Sequence, residues 1–257
     1  MRAALDQDFP DETVELYFRH AAWFLSSALS TFHAGIMATS VPHDVKFDDT
    51  IGILDAAVAE RRGVIVASPH WSGHELVAAM ISRRHPMVML VRQAPTVERM
   101  QRKLKWYRAI DAELVLRPNA ASTIKDAVAY LNVLKSGKLL GITPDLLANP
   151  GEGVEVRIFG RLARLHAGAF SLAVIARAPI IRTSFRWESD TSVYCIFDRA
   201  PMNFDTAERD VAVRTALQDW CDWFEAKLRV APENWLFWLD KRWSRFLRDA
   251  PHVTRAP

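Results

Sequence analysis

From Gly63 onward the chain repeats one pattern: a short apolar run rich in β-branched residues, a turn, then an amphipathic helical segment. The runs fall at Val64–Ala67, Met87–Val91, Glu113–Leu116, Leu139–Thr143, Val154–Ile158, Ile180–Phe185 and Val193–Phe197. Helical segments separate the early ones at Glu75–Arg84, Thr96–Ile110 and Ser122–Lys135. Strands joined through helices pair in parallel, because each helix carries the chain back across the sheet. The pattern therefore predicts an α/β fold: a central mixed, largely parallel sheet of about seven strands, flanked by helices. Leu146–Gly153 reads as a loop and Gly168–Arg177 as a short helix. Asp205–Val230 reads as a long helix with Asp205 as N-cap, and Asn234–Phe246, beyond Pro232, as a final tryptophan-rich helix.

Ahead of this pattern, Pro10 and Asp11 open a first helix that Gly35 closes, and Asp49–Arg62 forms a second that stops at Gly63. Val14–Met37 is apolar around most of its circumference, broken by Arg19, His20, His33 and a few serines. Such a helix is either buried in a large core or laid on a membrane. At 257 residues, 50% hydrophobic and without low-complexity tracts, the chain is expected to form one domain over 1–257. Residues 1–48 would be its apolar entry segment, and 231–257 its tryptophan- and arginine-rich C-terminal helix and tail. No signal peptide opens the chain and no continuous apolar run is long enough to span a bilayer, so it reads as cytoplasmic. Cys195 and Cys221 lack metal-ligand or disulfide-framework spacing and read as reduced core thiols. Net charge is +3, and Lys241, Arg242, Arg245, Arg248 and Arg255 gather at the C-terminal end. That cluster suits an anionic partner or membrane surface, or simply a solvated helix face. No motif for nucleic acid accompanies it.

The chemistry concentrates where the run Val64–Ala67 ends. His70 follows it, then Trp71, Ser72, Gly73 and His74, with Glu75 on the opening turn of a helix. Sites in open α/β sheets form beyond the carboxyl ends of the strands. A histidine there works as a general base when a carboxylate fixes its tautomer, and Glu75 is the nearest candidate by sequence. Residues five apart on one helix would face different ways, so the pair requires His70 in the loop and Glu75 in the helix. Pro69 and Gly73 permit that break. The alternative is a surface histidine near a glutamate that the helix dipole stabilises. His70 and His74 are also spaced like metal ligands, but Ala78 stands where the zincin motif needs its second histidine, and a third ligand would have to come from His85, His166 or a distant acid. G-x-S-x-G, Walker A and G-x-G-x-x-G motifs are absent.

His70, four residues, then Glu75 at the end of an apolar strand resembles the signature of the glycerolipid and lipid A acyltransferase superfamily. Further blocks, in order, are similar to the late acyltransferases of bacterial lipid A synthesis and their relatives that acylate phosphatidylinositol mannosides. They are Phe9-Pro10 with Tyr17-Phe18-Arg19-His20; Leu90-Val91-Arg92; Trp106-Tyr107-Arg108; Lys135-Ser136-Gly137 leading to Thr143-Pro144-Asp145; Val156-Arg157-Ile158-Phe159-Gly160; Ala167-Gly168; Ala176-Arg177-Ala178-Pro179; and Pro232-Glu233 with Trp238 and Lys241-Arg242-Trp243. The chain departs from the family at Asp240, where a histidine is usual, at Leu146-Leu147 after Asp145, and in lacking the N-terminal transmembrane helix. These departures bear on the acceptor more than on acyl transfer.

The resemblance implies that His70 takes a proton from a hydroxyl of a lipid acceptor while Glu75 orients the ring. The oxygen then attacks an acyl thioester carried by acyl carrier protein or coenzyme A, with no cofactor, metal or covalent acyl-enzyme. Arg92, Arg108 and helix N-terminal amides are candidate oxyanion donors or phosphate ligands, and Asp145 anchors Arg108 or touches the acceptor. Trp71, Ser72 and Trp106, with the first helix and the Trp235–Trp243 segment, are candidate substrate walls. The implied setting is peripheral, at the cytoplasmic face of the inner membrane. A catalytically inactive lipid-binding relative and a metal hydrolase are the competing readings.

Overall fold

The structure, a computed structural model, describes residues 1–34, 45–109, 112–118, 123–205 and 208–251. The expected helix stops at Gly35, Met37 and Ile110, the start at Ser122, and Arg255 lie outside the described residues. Seven strands form the main sheet: β1 (Val45–Phe47), β2 (Val64–Ala67), β3 (Met87–Arg92), β4 (Glu113–Arg117), β5 (Leu139–Ile142), β8 (Ile180–Ser189) and β9 (Ser192–Arg199). Their order is β1-β9-β8-β2-β5-β3-β4, and every neighbouring pair is parallel except β8 with β9. The central strands β2 and β5 are almost wholly buried, which is why they read as unbroken apolar runs rather than alternating ones.

Strand content differs from expectation in three segments. Val154–Ile158 (β6) leaves the main sheet and pairs antiparallel with Arg161–Leu165 (β7). The turn between them is Phe159-Gly160, both with positive φ, 54° and 65°, the geometry of a tight two-residue hairpin. The seventh place in the sheet goes to β1, at its edge.

The helices are α1 (Arg2–Leu5), α2 (Glu12–Ala34), α3 (Ile51–Ala59), α4 (His74–Ser82), α5 (Val97–Ala109), α6 (Ile124–Lys135), α7 (Gly168–Ala176), α8 (Arg209–Val230) and α9 (Lys241–Asp249). Two differ from the sequence reading. α8 starts after Glu208 rather than at Asp205, whose carboxylate is bound instead by Arg177. The expected helix 234–246 is broken into two 3-10 turns, Pro232–Asn234 and Leu236–Leu239, before α9 begins. Asp240 causes the break: its carboxylate accepts the backbone N–H groups of Arg242 and Trp243 and caps a new helix there.

α2 buries one face and leaves the other exposed. Thr13, Tyr17, His20 and Trp23 are buried at helical spacing. The Tyr17 hydroxyl donates to the Leu236 carbonyl, and the His20 ring stacks on Trp187 at 3.7 Å and 9°. The other face leaves Val14, Phe18, Leu25 and Leu29 each about half exposed or more. Among the described residues no helix is long and apolar enough to cross a membrane.

Candidate active site

Parallel register brings two distant residues together. Ala67, the last residue of β2, lies opposite Ile142, the last of β5. Three positions beyond each strand end come His70 and Asp145, which therefore leave the sheet side by side. Asp145 is fully buried and accepts three hydrogen bonds. Its Oδ1 takes His70 Nδ1–H at 2.7 Å, and its Oδ2 takes the His70 backbone N–H at 2.9 Å and Trp235 Nε1–H at 2.8 Å. Trp243 Nε1–H donates to the Asp145 carbonyl. Burial alone would push this carboxyl up; the adjacent His70 and the hydrogen bonds outweigh it and hold the group below its ordinary value.

A carboxylate can only accept, so Nδ1 carries the His70 proton and Nε2 is left as a bare, basic nitrogen. The ring is steadied by stacking on Phe237 at 4.0 Å, and its backbone carbonyl takes the Leu236 N–H. Gly73, at φ +97°, then turns the chain into α4; a Cβ there would meet the Trp23 ring at 3.0 Å.

The expected His70–Glu75 contact is not made. Glu75 points at α5, where Oε2 accepts Trp106 Nε1–H and Oε1 accepts the Tyr107 hydroxyl, both at 2.8 Å. Burial, then the Glu75 charge, keep the Tyr107 phenol protonated far above its ordinary range. The cause is geometric: the left-handed Gly73 separates the loop that holds His70 from the helix that holds Glu75, while Asp145 already occupies Nδ1.

His70 and Glu75 nonetheless line one cavity of about 310 Å³, with Met89, Leu90, Ile142 and Leu146 among its apolar walls and Arg92, Lys103 and Arg117 as its cations. Lys103 donates to the Arg92 carbonyl at 2.9 Å, and burial lowers its pKa against the pull of Glu75. Burial and then Arg92 lower that of Arg117. Behind His74 an apolar slot continues between α4 and the sheet, lined by Val77, Ala78, Ile81, Met87 and Met89.

Other expected site residues fall elsewhere. Arg108 lies on the exposed face of α5, five residues and more than a third of a turn from Lys103, which faces the cavity instead. Asp145 therefore anchors His70, not Arg108. Trp71 is core, donating to the Thr183 carbonyl at 2.7 Å, and Ser72 is fully buried with its backbone N–H on Asn234. Trp235, Trp238 and Trp243 pack with Phe159 around Asp145 rather than walling the cavity. His74, Lys103 and Arg117 were not singled out as substrate-facing; each sits one strand end or one helix turn from a residue that was. Among the described residues no three His, Cys, Asp or Glu side chains converge as metal ligands, and His85 is hydrogen bonded to Asp55 at 2.6 Å, outside the cavity lining. Both cysteines are buried and unpaired.

Residues 41–245, most of the chain, match the family model described as bacterial lipid A biosynthesis acyltransferase. No curated protein matches the chain.

Proposed function

The chain belongs to the bacterial lipid A biosynthesis acyltransferase family, and on that premise we propose that His70, held by Asp145, is the general base of acyl transfer from a thioester to a lipid hydroxyl. The observation that carries this reading is the buried Asp145–His70 pair, which leaves a basic Nε2 beside the cavity. His70 Nε2 takes the hydroxyl proton as the oxygen attacks the thioester carbonyl carbon. Asp145 stabilises the imidazolium that forms. When the tetrahedral intermediate collapses, the carbon–sulfur bond breaks and the thiolate takes the proton from His70, so thioester and alcohol become ester and thiol.

Arg92, Lys103 and Arg117 supply positive charge for the developing oxyanion or for a phosphorylated headgroup. Glu75 serves the cavity wall through α5 rather than the base. The slot behind His74 is nearly closed, about 10 Å³, so a fatty tail would enter it by displacing the Met87 and Met89 side chains, which reshape readily around apolar ligands. The donor is acyl carrier protein or coenzyme A thioester. The enzyme works peripherally at the cytoplasmic face of the inner membrane, docking the exposed apolar stripe of α2 with help from basic residues of α9.

The test is thiol release from lauroyl-coenzyme A or lauroyl-carrier protein in the presence of the host's lipid extract. His70→Ala should abolish it and leave the circular-dichroism melt unchanged; undiminished turnover overturns the assignment. A wild-type protein that binds these lipids yet consumes neither thioester is a non-catalytic relative.

A further inference from the structure

A second imidazole stands in the same cavity. His74 opens α4 and lines both the cavity and the apolar slot behind it, its ring 5.0 Å from that of His70 and edge-on to it. Its Nδ1 lies 3.0 Å from the Trp71 carbonyl oxygen, which can only accept, so Nδ1 carries a proton. Trp71 is itself fixed by its indole bond to Thr183 and by pairing with Trp235, so the anchor is rigid. Burial lowers the His74 pKa, and the neighbouring His70 lowers it further, outweighing Glu75 and Asp145. A neutral ring protonated at Nδ1 has an unshared electron pair at Nε2, on the edge away from Trp71. No partner for that nitrogen is found among the described residues.

Two adjacent imidazoles, each tethered through Nδ1 to an acceptor and each keeping a bare Nε2, are more than one proton abstraction needs. His70 alone removes the proton of the attacking hydroxyl. An unsatisfied acceptor beside it costs affinity unless the substrate brings a donor to it. We propose that His74 Nε2 is a substrate-binding acceptor, receiving a hydrogen bond from a second O–H or N–H group next to the reacting centre. The inference rests on the acyl-transfer reading of the cavity and adds a demand on the substrates: one of them carries a polar hydrogen close to the atoms that react. Two sources fit. One is a hydroxyl neighbouring the acylated one, as in a sugar or polyol headgroup. The other is an amide N–H of the pantetheine arm common to both thioester carriers.

The ring nitrogens themselves supply the test. In ¹⁵N-histidine-labelled protein, the His74 signals, assigned with the His74→Gln variant, should show the Nδ1–H tautomer and take up a proton only at lower pH than an ordinary imidazole. An Nε2–H tautomer, or a ring that protonates as readily as an ordinary imidazole, overturns the proposal without any substrate. Lauroyl-pantetheine and a dodecyl glycoside are then titrated separately. A shift of the His74 Nε2 signal with lauroyl-pantetheine identifies the amide as the donor, and a shift with the glycoside alone identifies the neighbouring hydroxyl. If the His70 signal moves and the His74 signal does not, the proposal fails while the acyl-transfer reading stands. If neither moves with either probe, both fail. In turnover, His74→Phe should raise KM for the substrate so identified by about tenfold with little change in kcat, while His74→Gln, whose amide oxygen can accept, should recover most of that loss. Equal effects of the two variants would assign His74 a packing role only.

Discussion

Asp145→Asn is the most discriminating change to the site. Its Oδ2 accepts two N–H donors, from the His70 backbone and Trp235, whereas Oδ1 accepts only His70 Nδ1–H. Asparagine has one acceptor oxygen, and two hydrogen bonds outweigh one, so that oxygen will occupy the Oδ2 position. The amide NH₂ is then turned toward His70 Nδ1, which must accept, moving the ring proton to Nε2. A protonated Nε2 cannot receive a proton from a hydroxyl. By the measure of a serine-protease triad whose aspartate is made asparagine, the loss in kcat should be about 10⁴-fold. The fold should survive. All three hydrogen bonds to the carboxylate become neutral ones, a loss of about 1 kcal/mol each, against a domain stability of about 5–15 kcal/mol. The assay is thiol release from whichever lauroyl thioester the wild type consumes, alongside a thermal melt. Glu75→Gln is the paired control: it disturbs one of two hydrogen bonds to α5 and should cost about tenfold, expressed more in KM than in kcat. Asp145→Asn activity within tenfold of wild type in a folded protein would refute the argument. So would a Glu75→Gln loss that exceeds it.

Three further outcomes follow from other parts of the molecule. Burial lowers the His20 pKa to about 4 in the folded chain, from 6.5; between those values only the unfolded chain takes up the proton, so stability should fall as pH drops from about 6.5 to 4, and His20→Phe, which keeps the stack on Trp187, should flatten that limb of the melting profile, with unchanged slopes counting against it. Gly141→Ala would set a Cβ 2.5 Å from both the Met87 Cε and the Met89 Sδ. Those flexible ends must swing into the slot, costing about 1–3 kcal/mol and raising KM for lauroyl more than for acetyl thioester; an unaltered melt with unaltered chain preference would contradict this. Leu25→Glu combined with Leu29→Glu, at positions each 59% exposed, should keep the fold but reduce co-flotation with vesicles containing anionic lipid, and equal flotation would remove α2 from the docking surface.

The parts of the fold visible in the sequence are those built from local regularity. Val64–Ala67 and Leu139–Ile142 could be placed because strands buried on both faces must be apolar throughout, and Pro69 and Gly73 mark where the first gives way to loop. Val45–Phe47 could not: three residues carry no period, and they become a strand only through pairing with Val193–Cys195. Arg161–Leu165 alternates in burial, but Arg161 is buried and Leu162 exposed, so the residue types carry no period of two and the strand is set by its pairing with Val154–Ile158. The partner of His70 was out of reach for a different reason. Spacing along the chain favours Glu75, five residues away, whereas Asp145 is 75 residues distant and arrives through strand register. Lys103 and Arg108 share one basic helix, and which of the two turns inward depends on the phase at which α5 packs against Glu75.

The aspartate that tunes His70 is itself gripped by two indoles, that of residue 235 on its carboxylate and that of residue 243 on its backbone carbonyl. During synthesis, His70 leaves the ribosome some 165 residues before the first of these tryptophans does. A nascent or prematurely terminated chain can thus complete its central strands and still present an imidazole whose orienting acid is loosely held. The imidazole would gain its fixed tautomer only once the last tryptophans have folded back.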